Sequence, residues 1–569
     1  MTFKPTDEQA HARDLFLTGR NLTIEALAGS GKTSTLKLLA DSCTKRMLYT
    51  SFAASVVRDA KKAFPQHVRS STNHGLAWAT VGRHYADAKR LPPDARLTPR
   101  VLQQHFGWTH STFGGLPVDD GSRLVMETLT RFCQSADPDI TAEHVPPPET
   151  VGTSGAHALA GATHYVVACA QRVWMEWENP TSQLPVSHDT YLKRFALSDP
   201  MLQADVCLLD EAQDTNPLML GLMLRQTHAQ LIVVGDQFQA IYGWRGAINA
   251  IAKFPSDHTT YLTQSFRFGS AIAEAANAVL DGHLESNARV RGLQTHASRL
   301  EVIEKPPVIL ARKNTTIISE IVKALARRAD TRIAVVGGVD DLMRLVDGAG
   351  ALLRGARPSR CPELNEFSEW DEVRDYSKLR IGRDLKVLVQ LVDEYGVDSL
   401  ARTLDRARGH EQDEASADLI LSTGHKSKGR EWRQCKLCDD FKAPPAADAT
   451  PEERAESDWT PEEARILYVA STRARDVLDV STCSAWQDAK SRYENPPSRT
   501  STIPVSEIRR QPLDLDSNSS RAAIADLARR VNALASAMGI ASSDLIEIIH
   551  NESGRASMKF AALAKRSAA

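Results

Sequence analysis

Membrane spans, a secretory signal and abundant cysteine are all missing from this chain. No apolar stretch approaches the roughly 20 residues that cross a bilayer, and the first ten residues, MTFKPTDEQA, contain no apolar signal core. Only eight of the 569 residues are cysteine, and only Cys435 and Cys438 form a C-x-x-C pair. This scarcity favours reduced thiols over a disulfide framework, a zinc site or a redox centre. We therefore predict a cytoplasmic protein with no membrane partner.

An excess of charge of one sign is also missing. The 69 lysine and arginine residues and the 71 aspartate and glutamate residues give a formal net charge of −2. This near neutrality argues against a histone-like protein that binds nucleic acid through overall charge, so any basic groove must be local. Apolar residues make up 42% of the chain and charged residues 25%, which is ordinary for a globular protein. At roughly 150 residues per domain, the length predicts about four domain-sized units.

A glycine-rich segment near the amino terminus has the layout of a phosphate-binding loop. An apolar run leads into Ala26-Leu27-Ala28-Gly29-Ser30-Gly31-Lys32-Thr33, and a helix-like run follows it. Glycines let backbone N–H groups turn towards phosphates, Lys32 can reach the outer phosphates, and the Thr33 hydroxyl can ligate Mg²⁺. Ala26 stands where the general motif has glycine, so the alternative is a strand-to-helix turn without a ligand. The predicted nucleotide contacts here are Ala28, Gly29, Ser30, Gly31, Lys32, Thr33 and Ser34.

A second segment, rich in acidic residues, supports the interpretation that the chain binds a nucleotide. The apolar run 206–209 is typical of a buried parallel strand, and it delivers Asp210-Glu211-Ala212-Gln213-Asp214 at its carboxyl end, where ligand sites gather in open α/β sheets. Asp210 is placed to hold Mg²⁺ through water, and Glu211 to orient and deprotonate an attacking water. The alternative is a polar strand end that caps the next helix. Together the two segments predict a nucleotide hydrolase that uses Mg²⁺.

Further segments, in their order and spacing, resemble the motifs of the UvrD/Rep-like superfamily 1 (SF1A) helicases, and the resemblance runs from Pro5 to about Val480. These segments are PTDEQ at 5–9, VGDQFQAIYGWRGA at 234–247, QSFR at 264–267, STGHKSKGREW at 422–432 and RILYVASTRAR at 465–475. The segment LCDDFK at 437–442, with the polar insert after it, resembles the F-box DNA helicase subgroup most. Since the first motif begins at Pro5, we expect no F-box before the core.

The resemblance implies a role for several single residues in ATP binding and hydrolysis. Gln9 would read the adenine edge, and Glu431 would touch the ribose. Gln239 would sense the γ-phosphate, and Arg267 and Arg473 would contact it, with Arg473 as the arginine finger. In related hydrolases such a finger contributes a rate factor on the order of 10³ to 10⁵.

The resemblance also implies a track for single-stranded DNA. Aromatic and hydrogen-bonding side chains alternate along such a track, because unpaired bases stack on aromatic rings. For Phe52 or Trp244 taken alone, core packing is the alternative. The predicted nucleic-acid contacts are Phe52, Thr72, His74, Tyr242, Trp244, Arg245 and His425.

The predicted fold class is α/β, with two RecA-like P-loop NTPase domains and helical insertions. The predicted divisions are 1–85 with 200–257 for the first RecA-like domain, 86–199 for a helical insertion, 258–339 with 416–485 for the second RecA-like domain, 340–415 for a small second insertion, and 486–569 for a carboxyl-terminal extension. In that extension, 498–520 is typical of a linker, and an apolar stripe at 524–538 predicts a helix. We expect this helix either to pack on the core or on a following helix at 544–550, or to recruit a protein partner or a second copy.

The resemblance implies an ATP-dependent helicase or translocase that moves 3′ to 5′ on single-stranded DNA and acts on 3′-tailed duplexes. Repair, recombination or replication is the expected setting, at the nucleoid. One alternative is a translocase that strips proteins from DNA or senses its ends in a repair or phage-defence complex. Another is a nucleotide-switched binding subunit whose extension recruits an effector. A small-molecule kinase would share the phosphate loop but would have no use for the motifs at Trp244 and Arg473.

Overall fold

The computed structural model describes residues 4–496, except 93–94, 96, 147–151, 244–245, 359–360, 362, 365–366, 379–384, 409–412, 447–448 and 456. Two predicted nucleic-acid contacts, Trp244 and Arg245, lie outside the described residues. So do residues 497–569, with the predicted linker, helix and partner-binding role of the carboxyl-terminal extension. Within the described part, no helix is both long enough and apolar enough to span a membrane.

The first sheet contains six parallel strands in the order β3-β2-β4-β5-β1-β6. Both faces of this sheet are covered, and every residue of β2, β4 and β5 is buried; β4 is apolar throughout. The prediction of a buried parallel strand at 206–209 is therefore confirmed. The strands are β1 (Leu22–Ala26), β2 (Met47–Ser51), β3 (Val68–Thr72), β4 (Val206–Leu209), β5 (Gln230–Gly235) and β6 (His258–Leu262).

The position of β6 corrects one sequence-based assignment. The predicted divisions placed residues from 258 onwards in the second RecA-like domain. In the structure, β6 pairs with β1 along its whole length, from His258 beside Leu22 to Leu262 beside Ala26. The strand alternates buried and more exposed residues, as expected for an edge strand, and this pattern made its sheet hard to assign.

The second sheet also contains six parallel strands, in the order β7-β12-β11-β8-β10-β9. Its strands are β7 (Arg299–Leu300), β8 (Val308–Ala311), β9 (Ile333–Val335), β10 (Leu419–Thr423), β11 (Trp432–Leu437) and β12 (Ala474–Asp479). Two parallel α/β sheets confirm the predicted fold class of two RecA-like domains. The predicted return of this sheet at Leu419 is also observed.

Helices cover both sheets and form both insertions. Those around the first sheet are α1 (Asp7–Leu17), α2 (Lys32–Asp41), α3 (Ala54–Ala63), α4 (Asn73–Ala77), α5 (Arg83–Asp87), α10 (Pro217–Leu224) and α11 (Ala250–Lys253). The first insertion contributes α6 (Pro99–Phe106), α7 (Val118–Gln134), α8 (Gly152–Glu178) and α9 (His188–Leu197). Around the second sheet lie α12 (Ser270–Gly282), α13 (Asn314–Arg327), α18 (Pro451–Ala455), α19 (Pro461–Ser471) and α20 (Ser484–Glu494), and the second insertion contributes α14 (Asp340–Leu353), α15 (Trp370–Lys378), α16 (Lys386–Tyr395) and α17 (Val397–Arg408).

Each insertion shares a hydrophobic core with the sheet that carries it. One apolar cluster joins Leu209 and Val233 of the first sheet to Phe132 and Val173 of the first insertion. A second cluster joins Leu421 of the second sheet to Leu404 of the second insertion. Because interiors are close-packed, these shared cores fix each insertion against its sheet.

Candidate active site

The predicted nucleotide-site segments lie where strands of the first sheet end. The strands β1, β4, β5 and β6 run into the phosphate-binding loop, Asp210, Asp236 and the QSFR segment respectively. Parallel strands bring these ends to one edge, and a cleft of about 930 Å³ opens there. Its lining includes the predicted residues Gly29, Ser30, Gly31, Lys32, Thr33, Ser34, Asp210, Glu211, Gln239, Arg267, Glu431 and Arg473. Gln9 and Ala28 are buried and do not line this cleft.

Glycine is required at two positions of the loop. Gly29 and Gly31 have φ values of +72° and +79°, in the left-handed region that favours glycine. A methyl group on Gly29 would also lie 2.5 Å from the Oγ of Ser265 and 2.8 Å from the Cβ of Arg267. The N–H of Phe266 donates to the carbonyl oxygen of Gly29 at 2.8 Å. The backbone of the loop therefore packs directly against the segment that carries Arg267.

Lys32 lies among carboxylates. Its Nζ is 2.9 Å from the carboxylate of Glu211. Burial would lower the pKa of Lys32, but the charges of Glu211, Asp210 and Asp236 outweigh burial and raise it. Since α2 begins at Lys32, the N–H groups of its first turn also point towards this end of the cleft. The ammonium group stays charged, as contact with a phosphate requires.

Asp210 and Glu211 are neighbours in the chain, but their surroundings differ. Asp210 is buried, and it accepts hydrogen bonds from the hydroxyl of Tyr49 at 2.6 Å and from the N–H of Glu211 at 2.8 Å. Burial and the charge of Glu211 raise the pKa of Asp210. For Glu211, burial acts in the same direction, but Lys32 and Lys428 outweigh it and lower the pKa. Glu211 is therefore the carboxylate that stays ionised and can accept a proton from water.

The backbone of Glu211 is held in a conformation that non-glycine residues seldom adopt. Its φ and ψ are 52° and 43°, a geometry that costs on the order of 1–3 kcal/mol. Gln213 holds the turn, since its Nε2 donates to Glu211 at 2.5 Å and its Oε1 accepts the N–H of Asp236 at 3.0 Å. The strain thus occurs at the residue predicted to position the attacking water.

Gln239 is fixed by the same aspartate. Its Nε2 donates to the carboxylate of Asp236 at 2.7 Å, and that carboxylate also accepts the N–H of Phe238 at 3.0 Å. Burial raises the pKa of Asp236, against the effect of Lys32. Gln239 therefore faces the cleft with its amide group held in one orientation.

Two arginines of the cleft share Glu431. Arg267 Nε donates to Glu431 at 2.8 Å, and its Nη1 donates to the carbonyl oxygen of Thr472 at 3.1 Å. Arg475 Nη1 lies 3.6 Å from the same glutamate. The predicted ribose contact and a predicted γ-phosphate contact are thus within hydrogen-bonding distance of each other.

Arg473 is buried and lacks an anionic partner. Its side chain donates to the carbonyl oxygens of Val469 and Arg430 and to the hydroxyl of Thr472, at 2.8, 3.2 and 2.9 Å. Among the described residues, no carboxylate lies within 4 Å of it. Burial and the nearby charge of Arg267 lower the pKa of Arg473 to about 9. A buried cation with only neutral acceptors, at the wall of the cleft, suits the charge that develops on a transferred phosphoryl group.

Tyr468 connects the second domain to the phosphate-binding loop. Its hydroxyl accepts the N–H of Ala28 at 3.2 Å and donates to the carboxylate of Asp236 at 3.4 Å. Burial and the charge of Asp236 raise the pKa of Tyr468 well above its usual value, so the phenol stays protonated. The N–H of Ala28 is directed at this tyrosine, and we therefore place Ala28 behind the phosphate cradle.

The donor set fits a magnesium–nucleotide complex. The hydroxyl oxygen of Ser30 is buried and has no hydrogen-bond partner among the described residues, and Ser30 lies between two glycines with left-handed backbone. Thr33 and Asp210 line the same cleft and supply the hydroxyl and carboxylate oxygens that Mg²⁺ prefers. The described residues contain no separate cluster of three or more histidine, cysteine, aspartate or glutamate side chains that would hold a metal.

Comparison with known proteins gives the family. The amino-terminal domain of UvrD/REP helicases matches residues 191–259. F-box DNA helicase protein 1 of Schizosaccharomyces pombe is 31% identical over 496 residues, which cover 81% of this chain and 55% of that protein. F-box DNA helicase 1 of Gallus gallus is 29% identical over 508 residues, which cover 81% and 47%. The chain thus contains a match to the UvrD-helicase amino-terminal domain and is homologous to F-box DNA helicases and PcrA, which are UvrD/PcrA-like superfamily 1 helicases.

A bacterial member of this family matches over a shorter stretch. The ATP-dependent DNA helicase PcrA of Leuconostoc citreum is 42% identical over 84 residues, which cover 14% of this chain and 11% of that protein. The chain spans about half the length of the F-box relatives it matches. The predicted similarity to the F-box DNA helicases is therefore confirmed over most of this chain.

A second cleft, of about 650 Å³, lies beside Tyr242 and His425. Tyr242 lines both clefts, and its hydroxyl lies 3.4 Å from the carbonyl oxygen of His425. The carboxyl end of β10 and the segments that follow β8 and β10 supply basic and polar side chains to the second cleft: Arg312, Lys313, Asn314, Thr315, Thr423 and Lys426. Asp341 and Glu363 also line this cleft, and Lys426 and Arg312 form ion pairs with Asp341 and Glu463 respectively. The cleft thus brings two predicted nucleic-acid contacts together with basic side chains of the kind that contact a phosphate backbone.

Three further predicted nucleic-acid contacts lie on the first domain. Phe52 follows β2, is 47% exposed and lines the nucleotide cleft. The hydroxyl of Thr72 accepts the N–H of Gly75 at 2.9 Å and so caps α4. His74 Nε2 lies 2.9 Å from the carboxylate of Asp189 on the first insertion. These contacts explain how the side chains are held, and their role in binding DNA stays a prediction.

Gln9 caps α1 and contacts the start of α2. Its Oε1 accepts the N–H of Thr6 at 3.1 Å while its own N–H donates to the Thr6 hydroxyl, a capping box. Its Nε2 donates to the hydroxyl of Thr35 at 3.2 Å. A methyl group on Gly31 would lie 3.2 Å from that Nε2. Gln9 therefore abuts the phosphate-binding loop, and adenine recognition by this residue stays a prediction.

Sequence reasoning missed several residues that organise the site. Tyr468 and Lys428 lie inside the segments that carried the resemblance, but nothing in the sequence indicated that they reach across to the first domain. Tyr49 is the third residue of an apolar strand and gave no signal. Gln213 is a polar residue two positions after Glu211, so its hydrogen bond to Glu211 is a contact that the local sequence could have suggested.

Proposed function

We propose that this chain is an ATP hydrolase coupled to DNA unwinding, a helicase or translocase that moves 3′ to 5′ on single-stranded DNA. The observation that carries the proposal is the convergence of Lys32, Glu211, Arg267 and Arg473 on one cleft between the two domains. Lys32 and the arginines supply positive charge to a triphosphate, and Glu211 orients the attacking water. When bound, Mg²⁺ would neutralise charge on the phosphate oxygens, and Thr33 and Asp210 would hold it.

Closure of the cleft would couple hydrolysis to movement. Arg473 and Glu431 belong to the second domain, whereas Lys32 and Glu211 belong to the first, so bound ATP contacts both and favours the closed form. Release after hydrolysis would let the domains separate. The second cleft, with Lys313, Lys426 and His425, would hold the strand that is moved.

The substrates we propose are single-stranded DNA and 3′-tailed duplex DNA, and the cofactors are ATP and Mg²⁺. The names of the relatives support DNA over RNA. Repair, recombination or replication is the proposed setting, at the nucleoid in the cytoplasm. The assignment of domains at 1–85 with 200–262, 263–339 with 416–485, and the two insertions between them is part of the same proposal.

A strand-displacement assay tests this function. The wild type should unwind a 3′-tailed DNA duplex in the presence of ATP and Mg²⁺, and it should leave matched 5′-tailed and blunt duplexes intact. The Glu211→Gln variant serves as the control for ATP dependence. Displacement of streptavidin from the 5′ end of a biotinylated strand, the end towards which the chain would move, without unwinding would favour the translocase alternative. No DNA-stimulated hydrolysis of ATP would refute both.

A further inference from the structure

Trp78 presents an aromatic ring to solvent close to two predicted DNA contacts. The residue is 42% exposed, whereas its neighbours Leu76 and Ala77 belong to the buried core. Thr72 and His74 lie six and four residues before it. Residues four apart on a helix share a face, so His74 and Trp78 lie on the same side of this segment.

The backbone around Trp78 fixes the position of its ring. Residues Trp78–Gly82 form one π-helical turn, in which the N–H of Arg83 donates to the carbonyl oxygen of Trp78. Such turns inside helices recur at functional sites. A methyl group on Gly82 would lie 2.9 Å from the Trp78 ring and 3.2 Å from the Tyr191 ring. Both rings therefore pack against the turn because position 82 has no side chain.

Trp78 belongs to an aromatic cluster formed by His74, Trp78, His188 and Tyr191. The ring of Tyr191 lies 5.9 Å from those of Trp78 and His74 and 5.7 Å from that of His188, all nearly perpendicular. Such edge-to-face contacts stabilise aromatic pairs. Tyr191 is buried and His188 is exposed. Because His188 and Tyr191 lie on α9, the cluster extends from the predicted DNA track onto the first insertion.

We propose that Trp78 is a base-stacking platform that extends the single-strand path from Thr72 and His74 towards the first insertion. The inference rests on the proposed function, since it requires a DNA strand to cross these residues. An exposed ring that is already held by its neighbours loses little freedom when a base stacks on it. Every base has a face that can stack, so the platform suits movement along any sequence.

Binding to two strands that differ only in their bases tests the proposal. Fluorescence anisotropy would measure the affinity of the full chain for oligothymidylate and for a fully abasic deoxyribose strand of equal length. The variants are Trp78→Ala, Trp78→Phe, which keeps a ring, and Tyr165→Ala. Tyr165 is the matched control, because it is also an exposed aromatic, at 39%, on a helix of the first insertion.

We expect Trp78→Ala to lose between about 5-fold and 150-fold in affinity for oligothymidylate, the range of one base–aromatic stack. It should bind the abasic strand as the wild type does, and Trp78→Phe should recover most of the loss. Tyr165→Ala should match the wild type on both strands. Equal losses on both strands, unchanged affinity for oligothymidylate, or a lowered melting temperature in both Trp78 variants would overturn the inference. If the wild type binds neither strand, the proposed function itself fails.

Discussion

Lys428 and Asp214 form a buried ion pair between the two domains. Lys428 Nζ lies 2.8 and 2.6 Å from the two carboxylate oxygens, and the side chains are 9% and 8% exposed. The same ammonium group donates to the carbonyl oxygen of Gln239 at 2.6 Å and lies 5.1 Å from the ring centre of Tyr242. Asp214 follows Glu211 by three residues, so this pair ties the catalytic turn to the second domain.

The segment that carries Lys428 also links the two clefts. Residues 424–431 connect the carboxyl end of β10 to the amino end of β11. Because the strands are parallel, these two ends lie on opposite sides of the second sheet along the strand direction. His425 lines the second cleft and Glu431 the nucleotide cleft. We expect a displacement at either end to affect the other through the residues around Lys428. In the proposed function, this segment would couple the binding of DNA to the binding of ATP.

A double-mutant cycle on this pair is the first prediction. Lys428→Met and Asp214→Asn should each lower the free energy of unfolding by about 3–5 kcal/mol, because each leaves a buried polar or charged partner unpaired. The double variant should cost clearly less than the sum of the two. Urea unfolding gives these values, and strict additivity would contradict the pairing. Lys428→Met should also reduce the ratio of DNA-stimulated to basal ATP hydrolysis.

The pH dependence of stability gives a second prediction for Asp214. Burial raises its pKa to about 6, against the effect of Lys428, whereas the ordinary value is 3.8. Between these values the folded state binds more protons than the unfolded state, so the contribution of Asp214 to stability falls as the pH rises. The wild type minus Asp214→Asn difference in unfolding free energy should decrease by on the order of 2–3 kcal/mol from pH 4 to pH 6. A difference that is flat or rises over this window would contradict the assignment.

How far the sequence predicted the molecule depended on whether a contact was local. The phosphate-binding loop and the acidic turn after β4 follow from short segments whose pattern has a direct physical meaning, whereas the two RecA-like domains followed from the family resemblance that the motifs carry. The assignment of β6 to the second sheet was wrong, because the sheet that an edge strand joins depends on tertiary position and not on the pattern of the strand itself. The burial of Arg473 and the contact between Tyr468 and Ala28 depend on tertiary packing. Tyr468 and Ala28 are more than 400 positions apart, and no local pattern carries that information.

A third prediction addresses the chemistry. Lys32→Ala and Glu211→Gln should each abolish DNA-stimulated ATP hydrolysis, because one removes a phosphate contact and the other the group that positions water. Glu211→Gln should still bind ATP, since the phosphate contacts of the loop survive, whereas Lys32→Ala should bind it weakly. Hydrolysis and equilibrium binding of a fluorescent nucleotide would be measured in parallel. Near-normal turnover in either variant would contradict the assignment of Lys32 and Glu211 to the ATP hydrolysis site.

Tyr468→Phe gives the last prediction, with Tyr49→Phe as its matched control. Each change removes one buried hydroxyl that donates to a carboxylate, Asp236 in the first case and Asp210 in the second. Only Tyr468 reaches across the domains, and its loss also leaves the N–H of Ala28 without its acceptor, at a cost of about 1–3 kcal/mol. Tyr468→Phe should therefore lower kcat and the DNA stimulation of hydrolysis together, while its Mg²⁺ requirement stays that of the wild type.

Tyr49→Phe should instead raise the Mg²⁺ concentration needed for half-maximal activity, because it disturbs the orientation of Asp210. Titrations of Mg²⁺ and DNA on both variants would separate the two effects. If both variants responded alike, Tyr468 would be a packing residue of the second domain, with no role in coupling it to the loop.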